Sequence, residues 1–180
     1  MSNILFEIDS AGVGLLTVAR PRAHNALSWQ AMKEFAAAVE GAHAAPDLRA
    51  LILTGAGSSF ISGGDMKDLL ASPTYQDGER LARLMGGALA RLEALPCPTL
   101  AALNGPARGG GCEVAISCDL RVMDETATLG FVQARLGLTT GWGGGPRLLR
   151  VVGYPRALEL LTTGRVIGAA EALQIGLVQQ

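Results

Sequence analysis

Glu113 closes the run Asn104-Gly105-Pro106-Ala107-Arg108-Gly109-Gly110-Gly111-Cys112-Glu113, so a proton-carrying side chain stands beside a stretch suited to holding negative charge. Successive glycines let another molecule approach the main chain with no Cβ in the way. If Val114 to Ser117 continue as a helix, its first N–H groups are unpaired and carry the positive end of the helix dipole. An oxyanion fits there, and a carboxyl group in the first turn adds acid/base chemistry. The same turn would also serve a phosphate, or only the close packing of helix on strand. A first-turn glutamate is favoured by the dipole even where it does no chemistry. The chain has no G-x-G-x-x-G, and no Lys-Ser/Thr follows Gly111, which argues against dinucleotide and P-loop sites.

The elements that must position this run follow from pattern. Leu100–Leu103 reads as a buried strand leading into the glycines. Ile4–Asp9 and Gly14–Ala19 read as a hairpin around Ala11-Gly12. Pro21 to Ala26 is a loop, and Ser28 caps a helix to about Ala44 with Trp29, Met32, Ala36 and Val39 on its apolar face. Ala50–Thr54 is a strand, and Phe60-Ile61-Ser62-Gly63-Gly64-Asp65 leads to a helical turn near Met66–Leu70. A helix from about Gln76 to Leu95 turns Leu81, Leu84, Met85, Ala88, Leu92 and Leu95 inward, and Pro96 and Pro98 end it. Leu120–Met123 is a strand. Gly141 to Gly145 forms a second glycine turn before a helix carrying Leu148, Leu149 and Val152. Helices near Arg156–Thr162 and Ala169–Ile175 follow. Alternating strands and helices imply an α/β fold with mainly parallel pairing.

Composition limits the partners. The 180 residues, 49% of them hydrophobic, are expected to form a single domain over 1–180. The net charge of −1 comes without a basic stripe or acidic tail, so neither nucleic acid nor a membrane surface is expected as a partner. No stretch reaches the roughly 18 uninterrupted apolar residues of a membrane helix. The start Met1-Ser2-Asn3-Ile4-Leu5-Phe6-Glu7 lacks the features of a signal peptide. Cys97, Cys112 and Cys118 form no C-x-x-C pair and read as buried thiols of a reducing, cytoplasmic compartment. With no G-x-S-x-G and no H-E-x-x-H, serine hydrolysis and metal catalysis are poorly supported, and no metal site is expected.

Several ordered motifs together resemble the enoyl-CoA hydratase/isomerase (crotonase) family. They run from Pro21-Arg22-Ala23-His24-Asn25-Ala26-Leu27-Ser28 through Phe60-Ile61-Ser62-Gly63-Gly64-Asp65, the glycine run and Cys118-Asp119-Leu120-Arg121. Leu136-Gly137-Leu138, Gly141-Trp142-Gly143-Gly144, Leu161-Thr162-Thr163-Gly164 and Gly176-Leu177-Val178 complete the series. The resemblance implies a spiral of ββα turns that binds an acyl-CoA thioester, with CoA as part of the substrate and no separate cofactor. It implies that the N–H groups of Gly64 and Gly110 face the thioester oxygen, with Glu113 as acid/base. It also implies substrate contacts at Arg22, His24, Ser62, Gly63, Asp65, Gly109 and Trp142, and assembly as a homotrimer or hexamer. Family members continue beyond the position of Gln180 into C-terminal helices, so this chain is expected to lack those helices and to have a reduced interface.

One departure bears on the reaction. Hydratases of the family use two glutamates to place water across a double bond, and Gln133 stands where the second is expected. An amide orients groups through its N–H and C=O but exchanges no proton near neutral pH, Ala134 is inert, and Arg135 is a permanent cation. Decarboxylation of a 2-carboxyacyl-CoA or isomerisation of an enoyl-CoA is therefore expected ahead of efficient hydration. The run Phe131-Val132-Gln133, followed by Leu136-Gly137 and Gly141-Trp142-Gly143-Gly144, is similar to the ethylmalonyl-CoA decarboxylase branch. A slow hydratase and a non-catalytic acyl-CoA-binding or interaction protein are the alternatives.

Overall fold

The computed structural model describes residues 2–71 and 74–180. Strands β1 (Ile4–Ile8) and β2 (Val13–Val18) form the antiparallel hairpin that opens the chain. β2 then pairs in parallel with β3 (Ala50–Gly55), β3 with β4 (Thr99–Leu103), and β4, across the next short strand in sequence, with β6 (Leu120–Met123). A second sheet, absent from the sequence reading, joins β5 (Ala107–Arg108), β7 (Thr128–Gly130) and β8 (Val166–Gly168) in that order. Parallel neighbours need crossover connections, and these carry the helices onto the sheet.

Helix α1 (Trp29–His43) starts where expected, with the Ser28 hydroxyl accepting from the Ala31 N–H at 3.2 Å. Its buried face is Ala31, Met32, Phe35, Val39 and Ala42. Trp29 and Ala36 of the expected face are only half-buried, because the stripe is centred on Phe35 rather than on the first-turn tryptophan. Each large side chain buried in this way stabilises by roughly 1.5–3 kcal/mol. Helix α2 (Met66–Leu70) and helix α3 (Tyr75–Glu93) follow. The inner face of α3 holds Met85, Ala88 and Leu92 as expected, plus Leu89, whereas Leu81 and Leu84 are half-buried and Leu95 lies beyond the helix end. A Thr74–Asp77 capping box starts it.

Helix α4 (Gly110–Ala115) is shorter than expected. Ile116 and Ser117 form a turn instead, in which the Ser117 hydroxyl donates to the Val114 carbonyl at 2.7 Å. Helices α5 (Gly144–Val152), α6 (Tyr154–Thr163) and α7 (Ala169–Gln174) complete the chain, and a short 3-10 turn at Pro21–Ala23 tightens the expected loop. Cys112 and Cys118 are buried, with burial pushing both thiols up to about 12. Cys97 is only partly buried, correcting the expectation that all three are interior, because it sits in the exposed connection between α3 and β4. No helix among the described residues is long and apolar enough to cross a membrane.

Candidate active site

Two side-chain amides bring the glycine segments together. Asn25 is fully buried, and its Nδ2 donates to the carbonyls of Ala56 and Ser59 at 2.9 and 2.7 Å. Asn104 Nδ2 donates to the Gly55 and Gly57 carbonyls, both at 2.8 Å, while its Oδ1 accepts from the Gly55 N–H. These bonds fix the loop after β3. Phe60 and Ile61, both fully buried, then drive Gly63 and Gly64 against the end of β5. A Cβ on Gly63 would stand 3.3 Å from the Gly110 nitrogen, so the two glycine runs are in contact.

The Gly64 N–H is left free by its pairing. Leu27 bridges in parallel to Gly64 by accepting from the Asp65 N–H and donating to the Gly63 carbonyl. In that pattern the N–H of the middle residue points away from the partner strand. Both Gly64 and Gly110 line one cavity of about 270 Å³, with Glu113, Gln133, Trp142, Ser62, Gly63 and Gly109 in the same wall. Met66, Leu69, Leu81, Val132, Leu136 and Leu138 make the remainder largely apolar. Glu113 is the one ionisable residue among the described residues that line it.

The Glu113 carboxylate, 2% exposed, is held from three sides. Its Oε2 accepts from the main-chain N–H groups of Trp142 and Gly144, both at 2.8 Å. Its Oε1 accepts from Gln133 Nε2 at 3.0 Å. Burial raises the carboxyl above its ordinary range, against the opposing pull of the Gly144, Trp142, Gln133 and Gly141 donors. The Gln133 oxygen is itself buried and has no partner among the described residues. The turn must pass this close: a Cβ on Gly144 would stand 2.5 Å from Glu113 Cγ, and one on Gly110 would stand 2.2 Å from Trp142 Cζ3.

The other expected contact residues divide. Arg22 and His24 are exposed and line an adjoining cleft with Ser62, Gly64, Asp65 and Lys67. His24 Nδ1 lies 3.3 Å from Ser59 Oγ. Asp65 is not in the wall of the main cavity, and its carboxylate pairs with Arg20 at 3.1 Å. Sequence reasoning passed over Arg147, which is 7% exposed and donates to the Trp142 carbonyl at 3.0 Å. An arginine just after a glycine turn reads as a solvated charge, and only its place on the inner side of α5 marks it. Leu81, placed in the core by pattern, instead faces the cavity.

Comparison with known proteins gives a consistent picture. The family model described as enoyl-CoA hydratase/isomerase matches residues 9–180. A probable enoyl-CoA hydratase of Mycobacterium bovis is 40% identical over 177 residues, covering 98% of this chain and 67% of that protein. The ethylmalonyl-CoA decarboxylase of Gallus gallus is 36% identical over 169 residues, covering 94% and 57%. The crystal structure of an enoyl-CoA hydratase from Bacillus anthracis superposes with a TM-score of 0.93 at 35% identity, covering 98% of this chain and 69% of that one.

Proposed function

The chain belongs to the enoyl-CoA hydratase/isomerase family, and from that premise we propose that its cavity stabilises a thioester enolate and moves a single proton at Glu113. The observation that carries this reading is the Gln133 amide, 3.0 Å from Glu113 Oε1, in a wall with no second ionisable group among the described residues. Adding water across a double bond needs one group to activate the water and another to deliver a proton to carbon. An amide does neither near neutral pH.

In this reading the acyl-CoA oxygen lies between the Gly64 and Gly110 N–H groups, which hold the charge that develops there. Met66, Leu69, Leu81 and Trp142 exclude water from the acyl group, and Arg22, His24 and Lys67 lie along the cleft towards the nucleotide end of CoA. For a 2-carboxyacyl-CoA, the bond from C2 to the carboxylate breaks, carbon dioxide leaves, and the electron pair passes into the enolate. Glu113 then protonates C2 and is recharged from water. Oε2 is saturated by two main-chain donors, so Oε1 carries the proton. For a 3-enoyl-CoA, ionised Glu113 would take a proton from C2 and return it to C4. Decarboxylation is the leading reading, because burial shifts the Glu113 carboxyl towards its protonated, donating form; the likeness to a decarboxylase supports it.

Parallel assays with methyl- or ethylmalonyl-CoA, a 3-enoyl-CoA and crotonyl-CoA decide the matter. Carbon dioxide release from the malonyl thioesters is expected. Rapid hydration of crotonyl-CoA would overturn the role given to Gln133, and binding without turnover of any of the three would leave an acyl-CoA-binding protein.

A further inference from the structure

Three consecutive peptide units form the turn that holds Glu113. The Gly141–Trp142 unit gives its N–H to Glu113 Oε2, and the Gly143–Gly144 unit does the same. The unit between them turns its carbonyl, that of Trp142, away from the cavity and onto Arg147 Nη1 at 3.0 Å. Pro146, four residues after Trp142, has no N–H to offer that carbonyl. The arginine therefore supplies a donor that the main chain lacks. Its Nε donates to Glu93 Oε2 at 3.0 Å, which anchors the guanidinium to the C-terminal end of α3.

The local sequence makes such a tether necessary. Gly141, Gly143, Gly144 and Gly145 surround Trp142, and Gly143 adopts φ +87°. A run this rich in glycine has many other conformations open to it, and confining it costs entropy. A buried cation is also costly without a partner, and Glu93 provides one. We propose that Arg147 is a positioning residue of the active site: by holding the Trp142–Gly143 peptide it keeps the Trp142 and Gly144 N–H groups converged on Glu113. It also fixes the Trp142 ring against Gly110. This rests on the reading of Glu113 as the proton carrier, but the bracing of its carboxylate is testable whatever the reaction.

The charged groups around the guanidinium are Glu93 from α3, Arg150 from α5, and Asp119 and Arg121 across the small cleft behind it. Arg150 donates to the same Glu93 at 2.7 Å but does not touch the turn, so it serves as a control. The test follows the Glu113 carboxyl by carbon NMR titration, alongside kcat and KM for the acyl-CoA substrate that is turned over. Arg147→Met, which keeps length and removes the donors, should move the Glu113 titration to higher pH, since freed N–H groups no longer stabilise the carboxylate. It should lower kcat about 10- to 100-fold with KM little changed, the pattern expected when a proton carrier is misplaced. Arg147→Lys should recover part of both effects, and Arg150→Met should change neither. Should Arg147→Met fail to fold, Glu93→Gln weakens the same anchor and should shift the titration in the same direction. If the variants lower only the unfolding midpoint and leave the Glu113 titration in place, Arg147 is a structural residue and the proposal fails. If no acyl-CoA is turned over but the titration moves, the brace stands and the enolate reading falls.

Discussion

At Glu113 burial and hydrogen bonding oppose each other, and burial prevails. Its carboxyl therefore keeps a proton to higher pH than an exposed glutamate does. The sign separates the two leading reactions. Decarboxylation needs the protonated acid, so its rate should fall as pH rises through the raised pKa. Isomerisation needs the carboxylate, and its rate should fall as pH drops through the same value. Rate–pH profiles with each substrate read this directly. Glu113→Gln should lose on the order of 10²–10⁴ in rate while still binding the thioester, and collapse of binding would show a structural role instead. The same shift bears on stability: the raised folded-state pKa gives a contribution that is full below the unfolded value and lost as pH rises through the folded one. Urea unfolding of Glu113→Gln should accordingly gain on the parent protein as pH rises. Gln133→Glu restores a second carboxyl beside the first. It should bring measurable crotonyl-CoA hydration, and continued absence of hydration would show that the missing glutamate is not what limits that reaction.

At the scale of elements, the turn before α5 matters more than the helices around it. Gly144→Ala would push a methyl group into Glu113 Cγ at 2.5 Å. Gly144 is the first residue of α5, where alanine is otherwise welcome. Activity is therefore expected to fall at least about 10-fold, following the displaced carboxyl, and the thermal midpoint should fall with it, since a buried carboxyl loses its donors; a variant with parental activity would contradict this. The sequence made the long elements legible, because α1, α3 and the four strands of five or six residues carry periods that repeat. Glu113 stood out from its own surroundings, as a carboxyl closing a glycine run, whereas Gly110 and Gln133 were singled out only through the family resemblance. The small sheet was not legible, because β5, β7 and β8 have two or three residues each and so no period to read. Arg147 was missed for a different reason: its burial depends on Glu93, 54 residues earlier, a pairing that local pattern does not encode.

For the whole molecule, the question is what lies against α5 and α6. These helices pack on each other, yet leave Leu149, Tyr154 and Leu158 40%, 62% and 45% exposed. Tyr154 and Leu158 are one turn apart on α6, so they share a face. Apolar side chains grouped on neighbouring helices favour association, since covering them removes their surface from water at roughly 25 cal/mol per Å². Self-association through this flank is expected, in keeping with the trimer or hexamer that the sequence resemblance implies. Sedimentation velocity over a wide concentration range should show species larger than one chain that grow with concentration. Leu158→Glu places a charge in the middle of the flank and should shift the distribution towards the single chain while leaving the circular dichroism spectrum unchanged. A distribution indifferent to both concentration and this substitution would mean that the α5–α6 face is an ordinary surface, and that assembly, where it occurs, uses another part of the molecule.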